Sequence, residues 1–149
     1  MKLSKPEREE LRMMFGGFCA YCGAELPEKG WHVDHVKAVL YDSEYRPSAL
    51  INGVYRASGF VKTGKLRYPE NDNKDNLFPS CLACNINKSD MPLETWRKFL
   101  ADGPESLASY NGRFRHMLRF KVVVVNPEPL LFWFEKFKAQ ASTPAPPAR

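Results

Sequence analysis

Two short cysteine pairs constrain this chain more than any other feature. Cys19 and Cys22 form one Cys-x-x-Cys pair and Cys81 and Cys84 form another, with 58 residues between them. Every cysteine in the sequence belongs to one of the two. Two intervening residues let a tight turn present both sulfurs to one ion at about 2.3 Å, and two such turns complete a tetrahedral zinc site. Gly23 follows Cys22 and suits the backbone of such a turn. A redox dithiol needs a single pair, usually on a thioredoxin-like unit, so structural zinc is the preferred reading. The charged start, Met1 to Glu10, has no apolar signal core. A cytoplasmic location is therefore expected, where disulfides are disfavoured.

The length of 149 residues suits one domain, and 44% hydrophobic residues suffice for a core of ordinary size. No apolar run approaches the roughly 18 residues of a membrane span, so no membrane association is expected. The net charge of +5 favours an acidic partner such as nucleic acid, though only weakly by itself.

Local patterns predict an α+β fold. Ser4 and Glu7 form a capping box for a first helix that ends before Gly16-Gly17. Trp31 to Val36 reads as a strand. Residues 41–75 read as loops and short hairpin pieces, punctuated by glycine and proline. One helix is predicted from the second cysteine pair to Lys88. Another covers Pro92 to Leu100, with Leu93, Trp96, Phe99 and Leu100 as a core stripe, stopped by Asp102-Gly-Pro104. Residues 105–118 predict a further helix interrupted by Gly112. Lys121–Val125 and Leu130–Glu135 predict a β-hairpin, either packed on the core or forming a dimer surface. Residues 1–138 form one domain in this reading, with a core at 18–90 and an extension at 91–138. Residues 139–149 are expected to be a disordered tail.

Between the cysteine pairs lie Asp34-His35 and, just before the second pair, Asn76-Leu77; Cys84-Asn85-x-x-Lys88 follows at once. A zinc ion holding both pairs would draw these neighbours together. The order resembles the HNH endonucleases, and most closely the small phage and prophage proteins of that family, in which a helix of the Leu93-Glu-x-Trp-Arg-x-Phe99 type often follows. The resemblance covers residues 18–90. It implies a ββα-metal core, made of a hairpin and a helix around one divalent ion.

Further implications follow from the resemblance. His35 is the general base, and an imidazole titrates near neutral pH. Asp34 and Asn85 are the ligands of a catalytic ion, and an all-oxygen pair suits Mg²⁺ or Mn²⁺. Asn76 orients the segment that bears His35, and Lys88 contacts phosphate. Asn85 stands where the family often has histidine, and Asn87 competes for the same role. His32 shares a strand face with Asp34, which makes it a supporting residue or a phosphate contact. Asp34 and His35 point to opposite faces of a regular strand, so both reach one phosphate only if the strand ends, twists or bulges there.

Tyr45 to Pro69 contains Arg46, Arg56, Lys62, Lys65 and Arg67, without Asp or Glu and interleaved with aromatics. Such a stretch suits tracking of a nucleic-acid backbone; a solvated loop whose aromatics pack on the core is an equal reading. Arg113, Arg115, Arg119 and Lys121 form a second acid-free cluster. The expectation is a metal-dependent DNA endonuclease with structural zinc, acting in a bacterium or phage-infected host. A second copy of the chain and a phage packaging machinery are its candidate partners besides DNA. The alternatives are a non-catalytic zinc-knuckle module that binds DNA or protein, and a nuclease that resolves branched DNA.

Overall fold

A computed structural model describes residues 2–141. It contains helix α1 (Lys5–Met13), strands β1 (His32–His35), β2 (Tyr41–Arg46), β3 (Ala49–Ile51), β4 (Val54–Arg56), β5 (Gly59–Leu66) and β6 (Leu77–Ser80), then helices α2 (Leu82–Lys88), α3 (Leu93–Tyr110), α4 (Gly112–Arg119) and α5 (Trp133–Ala141). The class is α+β, with small antiparallel sheets.

The centre is built from β1, β6 and α2. β1 and β6 pair antiparallel, with His32 opposite Ser80 and His35 opposite Leu77. α2 follows β6 directly and packs on β1. The cysteine turns flank this unit. The Cys19 N–H donates to Ala24 O at 2.8 Å, and the Gly23 N–H to Cys19 O at 3.0 Å. Gly23 has φ +74, and a Cβ there would lie 2.9 Å from the Trp133 ring. The position therefore needs glycine twice over, for its backbone angle and for its lack of a side chain. The Ala20 N–H donates to Pro79 O at 2.9 Å, tying the first turn to β6.

Leu11, Phe15, Tyr21, Leu26, Trp31, Leu77, Trp96 and Phe132 are buried. Tyr21 packs edge-on against Trp96 at 5.1 Å, and Trp96 stacks on Phe132 at 5.1 Å. α1 begins as its capping box predicts, with the Glu7 carboxylate accepting from both the N–H and the hydroxyl of Ser4.

Several expectations are corrected. The predicted C-terminal hairpin does not form. Val122 and Val124 are exposed, and Trp133 starts a helix. The cause is a competing partner: Trp133 N–H donates to Tyr21 O at 2.9 Å and Phe134 N–H to Ala20 O at 2.8 Å. This segment spends its backbone donors on the cysteine turn rather than on residues 121–125. Arg97 then clamps the segment, through Glu135 in α5 at 2.8 Å and Leu130 O ahead of it at 2.6 Å. Residues 139–141 of the expected disordered tail lie in α5; the remainder falls outside the described residues.

Gly103-Pro104 does not stop α3, which runs on to Tyr110. Proline removes one N–H bond but keeps a helical φ. Phe99 is exposed, so the core stripe of α3 is narrower than predicted and is dominated by Trp96. Within residues 41–66 the expected short hairpin pieces form, as the antiparallel pairs β2–β5 and β3–β4, with more strand and less loop than predicted. No helix among the described residues is long and apolar enough to cross a membrane.

Candidate metal centre and active-site cleft

The Sγ atoms of Cys19, Cys22, Cys81 and Cys84 all lie within 4.8 Å of one another. Cys22 and Cys81 are 3.8 Å apart, close to the separation of about 3.8 Å that two sulfurs of a tetrahedral zinc site require. None is in a disulfide. A hydrogen bond with the Cys84 thiol draws Cys19 down to about 4, against the effect of burial. Backbone contacts from Cys22, Cys81 and Tyr21 act in the same direction. Cys81 also caps α2, its sulfur accepting from the Cys84 N–H at 3.5 Å. Four soft donors converging in this way could hold a metal such as zinc.

Asp34 is buried in the middle of β1. Tyr21, which lies between the first two cysteines, donates its hydroxyl to Asp34 Oδ2. The Lys88 ammonium lies 3.0 Å from the same oxygen and donates to His35 O at 2.9 Å. Burial, then the charge of Asp34, pushes the Tyr21 phenol well above its ordinary range, so the phenol stays protonated as a donor. Both cysteine turns thereby reach Asp34, one through Tyr21 and the other through α2 and Lys88.

Lys88 is fully buried, which corrects its predicted contact with phosphate. A side chain enclosed and paired in this way organises the strand and does not meet an external ligand.

β1 ends at His35, as a shared Asp34–His35 site requires. His35 Nε2 lies 3.0 Å from Asp72 Oδ1. A carboxylate can only accept, so the Nε2–H donates to Asp72 and the neutral ring carries its lone pair on Nδ1. Asn76 braces both residues. Its Oδ1 accepts from Lys37 N–H, and its Nδ2 donates to Lys37 O and Asn71 O, each at 2.8 Å. Its backbone oxygen accepts from the Val36 N–H at 2.9 Å. One side chain thus fixes the segment after His35 and the segment before Asp72.

Asp34, His35 and Asn85 line one cleft of about 520 Å³, with Ala38, Val39 and Leu40 on its rim. Asn87 lies elsewhere, its Oδ1 accepting from the Trp96 indole N–H at 2.7 Å. Asn87 therefore anchors α3 and leaves the cleft to Asn85. His32 stands opposite Ser80 at the far end of β1 and does not line this cleft.

Of the basic residues, Arg67 is bound to Asp42 at 3.0 Å, which turns it from an expected free cation into a tie across the base of the β2–β5 hairpin. Arg56, Lys62 and Lys65 are exposed and in no ion pair among the described residues. Arg115 donates to Ala108 O and Ser109 O and so closes the end of α3.

Sequence reasoning missed Tyr21 and Asp72. The position of Tyr21 inside a cysteine turn was a usable signal, since a side chain beside that turn is drawn toward the four-cysteine centre. Asp72 lies 37 residues from His35 with no motif linking them, so only the fold reveals the pair. Comparison with family models, with curated proteins and with solved structures finds no match, so the functional reading rests on the geometry of this chain.

Proposed function

We propose that the chain is a metal-dependent DNA endonuclease of the HNH type, with zinc in the four-cysteine centre and Mg²⁺ or Mn²⁺ in the cleft. The observation that carries this reading is the convergence of Asp34, His35 and Asn85 on one cleft, with His35 held by Asp72. The donor set fits a hard cation. A carboxylate and an amide oxygen are ligands that such ions accept, with water filling the remaining positions. Tyr21 and Lys88 engage Oδ2 of Asp34, which leaves the second oxygen to offer. When bound, the ion supplies charge to the phosphoryl oxygens and to the leaving alkoxide.

The chain's own residues supply the rest. His35 takes a proton from the attacking water at Nδ1, and Asp72 stabilises the resulting imidazolium through Nε2. Asn76 keeps both in register by fixing residues 36–37 and 71. Lys88 balances the charge of Asp34 and ties the backbone of His35 to α2.

The test is supercoiled plasmid incubated with the purified chain and Mg²⁺ or Mn²⁺. Nicked or linear product in the presence of either ion, and none without it, supports the reading. No product with either ion favours the non-catalytic zinc-knuckle module. Four-way junctions cut in preference to linear duplex would point to the junction-resolving task.

A further inference from the structure

The two ladders between residues 41 and 66 are one hairpin. Arg46 opposes Gly59, and Ala49 opposes Arg56. Two residues on each side separate these pairs, so the register continues past the break. Pro47, which has no N–H to give, sits in that break. The turn is Asn52-Gly53, both at positive φ, the pattern of a tight two-residue hairpin turn. The Tyr41 to Ile51 side spans roughly 35 Å at about 3.3 Å per residue, close to one turn of B-DNA.

This hairpin buries almost nothing. Every residue from Ser43 to Ser58 is exposed, on both faces. Leu50 and Tyr55 face each other near the tip, 73% and 69% exposed. Tyr45 and Phe60 form an exposed edge-to-face pair, and the Lys62 ammonium lies 5.0 Å from the Tyr41 ring. So much apolar surface on a two-sided ribbon marks a place where something binds.

Charge decides the occupant. From Tyr45 to Pro69 there are five Lys and Arg and no acid. Arg46 and Arg67 are matched by Glu44 and Asp42 at the base, while Arg56, Lys62 and Lys65 are left for an external anion. A two-stranded ribbon fits the major groove of B-DNA, where apolar tips meet base edges and cations meet phosphates. The hairpin also grows out of the cleft, since Ala38, Val39 and Leu40 line the cleft and β2 begins at Tyr41.

We infer that residues 41–66 form a DNA-gripping arm that lies in the major groove, with Arg56, Lys62 and Lys65 on the phosphates and Leu50 and Tyr55 against the bases. This deepens the nuclease reading by naming how duplex is brought to the cleft, yet it is testable without cleavage.

The experiment is fluorescence anisotropy of a fluorescein-labelled duplex titrated with the full chain, without added Mg²⁺ or Mn²⁺, at several salt concentrations. The expected result for the triple variant Arg56→Ala, Lys62→Ala, Lys65→Ala is an affinity lower by roughly tenfold or more and a salt slope smaller by about 3. The double variant Leu50→Ser, Tyr55→Ser should weaken binding several-fold while keeping the salt slope. Melting temperature and zinc content should match wild type in both, because all five sites are exposed. Wild-type binding by both variants overturns the arm. So does a tip variant that turns a dimer into a monomer with unchanged DNA affinity, which would make the ribbon a self-association surface. Arm-dependent binding without any cleavage would leave this inference standing and sink the nuclease. Cleavage with arm-independent binding would do the reverse.

Discussion

The Tyr21 hydroxyl donates to the buried carboxylate of Asp34, and so joins the four-cysteine centre to the candidate cleft by one side chain. Tyr21 is held by its place between two cysteines, and Asp34 by its place on β1. Removing the hydroxyl leaves a buried acceptor short of one donor. Tyr21→Phe should cost about 1–3 kcal/mol, read by chemical denaturation. It should also weaken cation-dependent cleavage while zinc content stays at one per chain. Wild-type stability and cleavage together would show that the bond does no work.

Lys88 and Asp34 form a buried ion pair, fully enclosed on the lysine side. Lys88→Met strands a charge on Asp34 and should destabilise the fold by about 3–5 kcal/mol. The double variant Lys88→Met, Asp34→Asn should recover part of that loss. Equal destabilisation of single and double variants would mean that the lysine matters for packing alone.

Zinc in the four-cysteine centre would hold together turns that are far apart in sequence, so its removal should unfold the centre. Treatment with a strong chelator should release one zinc per chain and abolish cooperative thermal unfolding. Cys84→Ser should reproduce this without chelator. A chelated chain that melts as wild type does would refute the structural role of the site.

Gly23 cannot carry a side chain without moving Trp133. Gly23→Ala should cost about 1–2 kcal/mol from its positive φ alone, with a further loss from displacing the indole. Trp133 fluorescence should shift in step, which separates local displacement of α5 from global unfolding. An unchanged melting temperature would mean that the turn relaxes freely.

Glu7 is held down to about 2, first by its hydrogen bond from Lys74 and then by Ser4. A depressed carboxyl stabilises the fold above its unfolded pKa and loses that contribution as pH falls through the folded one. Wild type should therefore be more stable than Glu7→Gln at neutral pH, with the gap closing between about pH 4.5 and pH 2. Thermal melts of both across this range check it; a constant gap would contradict the ion pair.

The parts of the fold written in short spacings were legible in the sequence. The Ser4–Glu7 cap, the cysteine turns, the β1 strand and the helix after Cys81 each depend on residues a few positions apart. The convergence of Asp34, His35 and Asn85 was legible because the first two lie between the cysteine pairs and the third directly follows Cys84. What failed depended on remote competition. Leu130–Glu135 has strand-like composition, but Tyr21 and Ala20 claim its backbone donors from over a hundred residues away. Lys88 was assigned to phosphate from its place in Asn85-x-x-Lys88, and only the three-dimensional placement of Asp34 reverses that. The hairpin at 41–66 was obscured by its glycines and proline, which here form a turn, a bulge and a break inside one register.

The central claim is that His35 is the base of a hydrolytic site. The most direct test compares plasmid cleavage by wild type and His35→Ala in the same Mn²⁺ buffer, with zinc content and melting temperature measured on both. The account predicts cleavage by wild type, its loss by at least about a hundredfold in the variant, and unchanged zinc and stability. Equal cleavage by a folded, zinc-loaded His35→Ala chain would contradict it.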